Sequence, residues 1–136
     1  MMKPITRKLP AAVVAVAVAV LAAAGVAEAC SCMRYGSAAE QIAAADAVFE
    51  GRVVRTERSG RDRAATTFEV LDTVKGKLGR RVRVEHGTET AAGCGVRFRR
   101  GEIVALTAHR VRGAWTTSSC AAIQHPWADY RRARNR

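Results

Sequence analysis

Four cysteines are the residues whose type and spacing in this 136-residue chain could do chemistry. Cys30 and Cys32 flank a single serine, whereas Cys94 and Cys120 lie far along the chain. A bond between Cys30 and Cys32 would close a very small, strained ring, so we expect each of them to bond to a distant partner. Two pairings meet that condition, and the composition does not choose between them. Either pairing closes loops of roughly 60 to 90 residues, and each such disulfide contributes about 4 kcal/mol to stability in the chain-entropy model.

The same cysteines could instead bind zinc together with His86, His109 and His125. Structural zinc sites usually have Cys-x-x-Cys or closely paired histidine spacings, and this sequence has neither. The amino-terminal sequence also predicts export, and exported cysteines are generally oxidised. We therefore expect two disulfides and no resident metal or cofactor.

The first 29 residues have the pattern of a signal peptide. Basic residues within the first eight positions precede an apolar run from Leu9 to Val26, which ends in the small-x-small sequence Ala27-Glu28-Ala29. Cleavage there would leave a secreted domain of 107 residues that begins at Cys30. The alternatives are an uncleaved anchor, for which the run is short and alanine-rich, and lipidation of Cys30, for which Ala27 and Glu28 are poorly suited. We expect simple cleavage, and no membrane span in the mature protein.

A cysteine at a new amino terminus can itself bind a metal ion. Its α-amino nitrogen and its carbonyl oxygen form a five-membered chelate, and a disulfide would hold both atoms at the protein surface. A free α-amine has a pKa of about 7.7–8.0, low enough for a metal to displace its proton at neutral pH. A catalytic zinc keeps one coordination position for water. An immobilised amine and carbonyl could occupy that position and expel the nucleophilic water.

The rest of the sequence contains no catalytic constellation. The histidines are scattered, and there is no nucleophile motif, glycine-rich phosphate loop, His-Glu-x-x-His or calcium loop. The few aromatic residues do not form an evident stacking platform for single-stranded nucleic acid. We expect no enzyme activity and no specific nucleic-acid partner.

The charge of the mature part is strongly basic. Residues 30–136 carry 20 Lys and Arg against 11 Asp and Glu, a formal charge of +9, and 18 of the cations are arginine. Such a surface could bind anionic glycans, anionic lipid or extracellular nucleic acid, and it is equally consistent with a solvated surface that keeps the protein soluble. Six arginines cluster around the third predicted strand and the segment after Cys94: Arg80, Arg81, Arg83, Arg97, Arg99 and Arg100.

The residues between the cysteines predict a small β domain that would position them. Ser37 and Glu40 have capping-box spacing at the start of a helix that runs to about Ala45. A hairpin loop is expected at 57–63, and Pro126 begins a second short helix. Stretches rich in β-formers predict five strands, at 47–55, 66–74, 81–85, 102–111 and 114–118. The prediction for residues 30–136 is a mainly β domain, a five-stranded OB-fold-like barrel with two short flanking helices.

Several short motifs occur in a characteristic order along this domain. They are Cys30-Ser31-Cys32, Ala-Asp-Ala-Val-Phe-Glu-Gly-Arg-Val at 45–53, residues 68–76 with their Val74-Lys75-Gly76 ending, Cys94-Gly95-Val96, Gly101-Glu102 before an aliphatic strand, and Cys120. In this order they resemble the tissue inhibitors of metalloproteinases and the wider netrin-like domains. The resemblance spans essentially the whole mature chain. Animal members of the family have additional cysteines, and usually a proline where this chain has Met33-Arg34-Tyr35.

The resemblance implies an OB-like barrel in which Cys30 bonds to Cys94 and Cys32 to Cys120. It also implies inhibition of zinc metalloendopeptidases. Cys30 would chelate the protease zinc, and the Ser31 side chain would enter the neighbouring specificity pocket. The loop formed by Thr90, Ala91, Ala92 and Gly93 would lie alongside as a second contact.

Two functions are therefore expected from the sequence. The first is a secreted inhibitor that acts through Cys30 on the zinc of a metalloendopeptidase. The alternative is a netrin-like binding module that recognises anionic glycans or an envelope partner through its arginine-rich face. A structural envelope protein, including a lipid-anchored form, is a third interpretation.

Overall fold

A computed structural model describes residue 2, residues 30–89 and residues 94–135. Apart from Met2, the predicted signal peptide lies outside these residues, as does the predicted contact loop Thr90–Gly93. The described elements are helix α1 (Ala38–Ala44), strands β1 (Ala47–Arg58), β2 (Arg63–Lys75), β3 (Arg81–Gly87), β4 (Ile103–Val111) and β5 (Ala114–Thr116), a 3-10 turn (Ser119–Ala121) and helix α2 (Trp127–Arg134).

The five strands form a closed barrel in the order β1-β2-β3-β5-β4. All neighbouring strands are antiparallel except β3 and β5, which are parallel. The predicted mainly β, five-stranded OB-fold-like barrel with two short helices is confirmed.

The β1–β2 hairpin is longer than the polar sequence at its tip predicts. We expected a loop over 57–63, but Arg58 is paired with Ala64 in the ladder. The Thr56 and Thr66 hydroxyls lie 2.7 Å apart across the two strands. Cross-strand hydrogen bonds of this kind stabilise paired strands whose sequence is polar.

The barrel interior is filled by apolar residues from alternating strand positions. Phe49 and Phe68 are fully buried and meet edge to face, with ring centroids 5.7 Å apart. The predicted inward positions Val82 and Val84 on β3 are buried, while Arg81 and Arg83 between them are exposed. This alternation is the period-two pattern of a half-buried strand.

The two helices pack together over the outside of β1 and β2. Ala38 and Ala45 form a second buried cluster with Val48 and Tyr130. Ser37 caps α1 by accepting a hydrogen bond from the Glu40 backbone N–H at 3.2 Å, as the capping-box spacing predicts. Tyr130 of α2 donates a short hydrogen bond to Gln41, so a polar contact also joins the helices inside this cluster.

Among the described residues, no helix is both long and apolar enough to cross a membrane.

Candidate functional site

Two disulfides attach residues 30–32 to one end of the barrel. Cys30 is bonded to Cys94 and Cys32 to Cys120, with Cα–Cα distances of 5.2 and 5.1 Å. This is the pairing that the family resemblance implies. The Ser119 backbone N–H donates to the Cys94 carbonyl at 3.0 Å, so the two anchor points are themselves linked. Cys30 and Cys32 are therefore covalently attached to two points of the fold that are hydrogen-bonded to each other.

Gln124 fixes the residues that follow the second cysteine. Its side-chain amide donates to the Met33 carbonyl at 2.8 Å and accepts from the Tyr35 backbone N–H at 2.9 Å. The His125 Nε2 atom lies 3.1 Å from the Tyr35 carbonyl. Residues 30–35, which we name the terminal segment, are thus held by two covalent bonds and three polar contacts.

Gln41 connects Gln124, which holds the terminal segment, to helix α2. Its side chain is only 2 % exposed, and its Oε1 atom accepts hydrogen bonds from Tyr130 and, at 3.2 Å, from the Gln124 backbone N–H. Its Nε2 atom donates to the Ala122 carbonyl at 3.0 Å. Gln41 and Gln124 could not be predicted as part of the site, because nothing in their local spacing indicates partners more than 80 positions away in sequence.

The outer side of the terminal segment is open to solvent. Ser31, Cys32 and Arg34 are exposed, and Met33 keeps 70 % of its surface exposed. A cavity of about 240 Å³ borders the segment, lined on the barrel side by residues that include Thr107 and Thr117. The hydroxyls of these two threonines already donate to the carbonyls of Ala121 and Thr107. The exposed outer side of the segment is formed by Ser31, Cys32, Met33 and Arg34.

The two ends of the predicted second contact loop are held close to each other, and Cys94 joins one of them to Cys30. Thr88 donates its backbone N–H to Asp62 at the tip of the β1–β2 hairpin, at 3.0 Å. A side chain at position 95 would bring its Cβ to 1.8 Å from the Thr88 carbonyl oxygen, so only glycine permits the approach. The Val96 backbone N–H also donates to the Gly87 carbonyl at 3.1 Å, so the chain before the loop is hydrogen-bonded to the chain after it. The loop residues Thr90, Ala91, Ala92 and Gly93 lie outside the described part of the chain.

The six clustered arginines are all exposed, but they occupy two places, since Arg80, Arg81 and Arg83 lie on β3 or directly before it. Arg81 and Arg83 lie on the outer face of β3, where Arg83 pairs with Glu85 at 3.2 Å and Arg81 lies opposite Glu69. Arg97, Arg99 and Arg100 lie on the segment that leads from Cys94 to β4. That segment is docked on β1 by two 2.8 Å hydrogen bonds, which join Gly101 and Glu102 to the Val53 backbone. Acidic residues thus interrupt the cationic surface on β3, and the later group also has acidic neighbours: Glu102 accepts from the Arg99 backbone N–H, and Glu89 lines a cavity together with Arg97.

The three histidines occupy separate environments. His86 is buried between Thr66 and the Gly87 carbonyl, His109 lies 3.9 Å from Asp46, and His125 contacts Tyr35. Within the described chain, the group of residues able to share a metal ion contains cysteines alone: Cys30, Cys32 and Cys120. The disulfides occupy these sulfur atoms, and no described cysteine is free.

The chain matches no protein-family model and no curated protein sequence.

Proposed function

We propose that the mature chain is a secreted inhibitor of zinc metalloendopeptidases. The α-amine and carbonyl of Cys30 chelate the zinc of the protease and displace its water. The observation that carries this proposal is the attachment of Cys30 to the barrel by its disulfide with Cys94, at the start of an exposed segment.

Rigidity of the terminal segment supports this function. A chelating group that is already held in place loses little conformational freedom when it binds, so more of its interaction energy appears as affinity. The two disulfides and the Gln124 side chain restrict residues 30–35 before any partner arrives. The exposed Ser31 follows the chelating residue directly and would be the first side chain to meet the protease.

Export and cleavage after Ala29 are part of the proposal, because only a free amine on Cys30 can chelate. Two disulfides in a small domain are in keeping with an oxidising compartment. Intact-mass analysis of the exported protein tests this step, since it measures the amino terminus, any lipid and the number of disulfides together. A residue remaining ahead of Cys30 would contradict the mechanism.

The functional test is titration of a panel of zinc endopeptidases with two forms of the protein. One begins at Cys30, and the other carries a single alanine ahead of it. We expect the extension to raise the inhibition constant at least about 100-fold, a loss of about 3 kcal/mol of binding free energy. A form with the alanine added after Arg136 is the matched control and should inhibit like the unextended protein. Equal inhibition by all three forms would contradict chelation by the amine.

We propose, as the second candidate, that the arginine-rich face binds anionic glycans. The exposure of Arg97, Arg99 and Arg100 on a docked segment favours it. Exchanging these three residues for glutamate should sharply reduce the salt concentration that elutes the protein from a heparin column. The control exchanges Arg34, Arg112 and Arg131, which are exposed elsewhere, and changes the net charge equally. If both triple variants elute together, net charge rather than this face explains the retention.

A further inference from the structure

The two disulfides lie against each other: the sulfur atoms of Cys30, Cys32 and Cys120 are all within 4.8 Å of one another, and the Cys94 sulfur is bonded to that of Cys30. The Cys30 sulfur is 3.2 Å from that of Cys120 and 3.9 Å from that of Cys32. The Cys94 sulfur is 3.8 Å from that of Cys120. The two disulfides are therefore in contact with each other, although their cysteines come from three separate parts of the sequence.

These separations are close to those of a zinc ion with four thiolate ligands. Zinc–sulfur bonds are about 2.3 Å long, so the sulfurs of a tetrahedral site lie about 3.8 Å apart. The three non-bonded contacts between the disulfides are already within about 0.6 Å of that value. When the two disulfide bonds are broken, van der Waals repulsion moves the formerly bonded sulfur atoms apart. Their separation then increases toward the value of about 3.8 Å that a tetrahedral zinc site has.

We infer that the reduced chain is a zinc-binding protein in which Cys30, Cys32, Cys94 and Cys120 hold one Zn²⁺. A dithiol reductant supplies two electrons and two protons to each disulfide and is itself oxidised to a disulfide. Zinc then displaces the four thiol protons. Soft thiolate ligands select zinc over magnesium or calcium. The site would exist before the disulfides form and wherever such a reductant reopens them.

The fold supplies the positions of all four ligands. The 3-10 turn carries Cys120, and the 3.0 Å hydrogen bond from Ser119 to the Cys94 carbonyl holds the other distant cysteine beside it. Gln124 holds residues 33–35 independently of the sulfur atoms. Four thiolates around Zn²⁺ carry a net charge of –2, which the positive charge of residues 30–136 favours. In this state the metal replaces the disulfides as the clamp on the terminal segment.

The zinc site goes beyond the proposed inhibition and does not depend on it. The ion is bound by this chain alone, and the test below contains no protease. A chain that fails to bind zinc when reduced would leave the chelation of a protease zinc by the oxidised form untouched.

The test is a titration of the purified protein with Zn²⁺ and with Co²⁺, once oxidised and once reduced by a phosphine under anaerobic conditions. We expect one metal ion per reduced chain, with the ligand-field bands of tetrahedral cobalt and a thiolate charge-transfer band. The oxidised chain should bind no metal at these positions. Equal binding by the two forms would overturn the inference.

Two variants distinguish a built site from loose binding by thiols. The double variant Cys94→Ser with Cys120→Ser keeps only the Cys-x-Cys pair, and its zinc affinity should fall at least about 100-fold. The matched control Ser31→Ala removes the residue between the first two ligands without removing a ligand, and should bind as the reduced parent does.

A thermal melt covers the case in which the reduced chain or the double variant unfolds. Metal that binds the folded state must raise the melting temperature of the reduced parent, and a chelator must reverse the rise. Zinc bound without any rise would show that unfolded thiols bind it, and would overturn a site built by the fold.

Discussion

Lys75 links two elements through a single side chain. Its ammonium group donates to the carbonyls of Ile42 and Ala45, at 3.0 and 2.5 Å, where α1 ends. The last carbonyls of a helix have no partner within the helix, and a cation there also interacts favourably with the helix dipole. Gly76 follows with φ of +96°, and the Cβ of any other residue there would lie 2.9 Å from the Ala47 Cβ. The Val74-Lys75-Gly76 sequence thus has a structural explanation at each of its last two positions.

Replacing Lys75 by methionine should destabilise the fold by about 1–3 kcal/mol, because two carbonyls lose a charged donor. The matched control is Lys77→Met, which removes the same charge two positions later from an exposed side chain. It should change the unfolding free energy by less than about 0.5 kcal/mol. Urea denaturation of both variants measures the difference, and equal effects would refute the capping role.

Gly76→Ala should be more destabilising than Gly79→Ala by about 1–3 kcal/mol, the usual range for overpacking. Both glycines have positive φ, so both substitutions carry the backbone cost of a left-handed residue. Only position 76 has an atom within 4 Å of the added methyl group; position 79 has open space. Melting temperatures of the two variants test the prediction, which fails if they are lowered by the same amount.

At the scale of elements, the terminal segment depends on structure that is distant in sequence. The cysteines provide the covalent anchors, and their even number in a small domain makes disulfides predictable. The hydrogen bonds of Gln124 and Gln41 could not be predicted, because they join α1, α2 and the terminal segment only after the barrel has closed. The same limit applies to the β1–β2 hairpin. The polar sequence at its tip is typical of a loop, and the hydrogen bond between the Thr56 and Thr66 hydroxyls forms only once the two strands are paired.

Gln124→Ala should loosen the terminal segment while leaving both disulfides intact. The Tyr35 backbone N–H loses its acceptor, so its hydrogen exchange should become at least about 10-fold faster, the ratio for a loss of about 1.4 kcal/mol of protection. Inhibition by the variant should weaken for the same reason, because more conformational freedom is lost on binding. Exchange of single amides followed by NMR measures the first effect.

Arg34→Ala is the control for this experiment, since Arg34 lies between the two residues that Gln124 holds but is itself exposed. Its Tyr35 amide should exchange at the parental rate. If the Gln124 variant also exchanges at that rate, the amide contact does not hold the segment.

At the scale of the whole molecule, the fold was more predictable than the site. Buried and exposed residues alternate on β3 as predicted, and the five stretches rich in β-formers are the five strands of the closed barrel. The contact between the two disulfides was not predictable, because the sequence alone left two cysteine pairings open. The barrel also determines where residues 30–32 lie, since the disulfides attach Cys30 and Cys32 to it and Ser31 between them is exposed.

The most direct test of the proposed inhibition observes the metal of the protease. A zinc endopeptidase substituted with Co²⁺ reports on its metal ligands through its visible absorption spectrum. Protein that begins at Cys30 should change that spectrum as it inhibits, because a nitrogen and an oxygen replace the bound water. The form with one alanine ahead of Cys30 should leave the spectrum unchanged. Inhibition by the unextended protein without any spectral change would contradict chelation of the metal by Cys30.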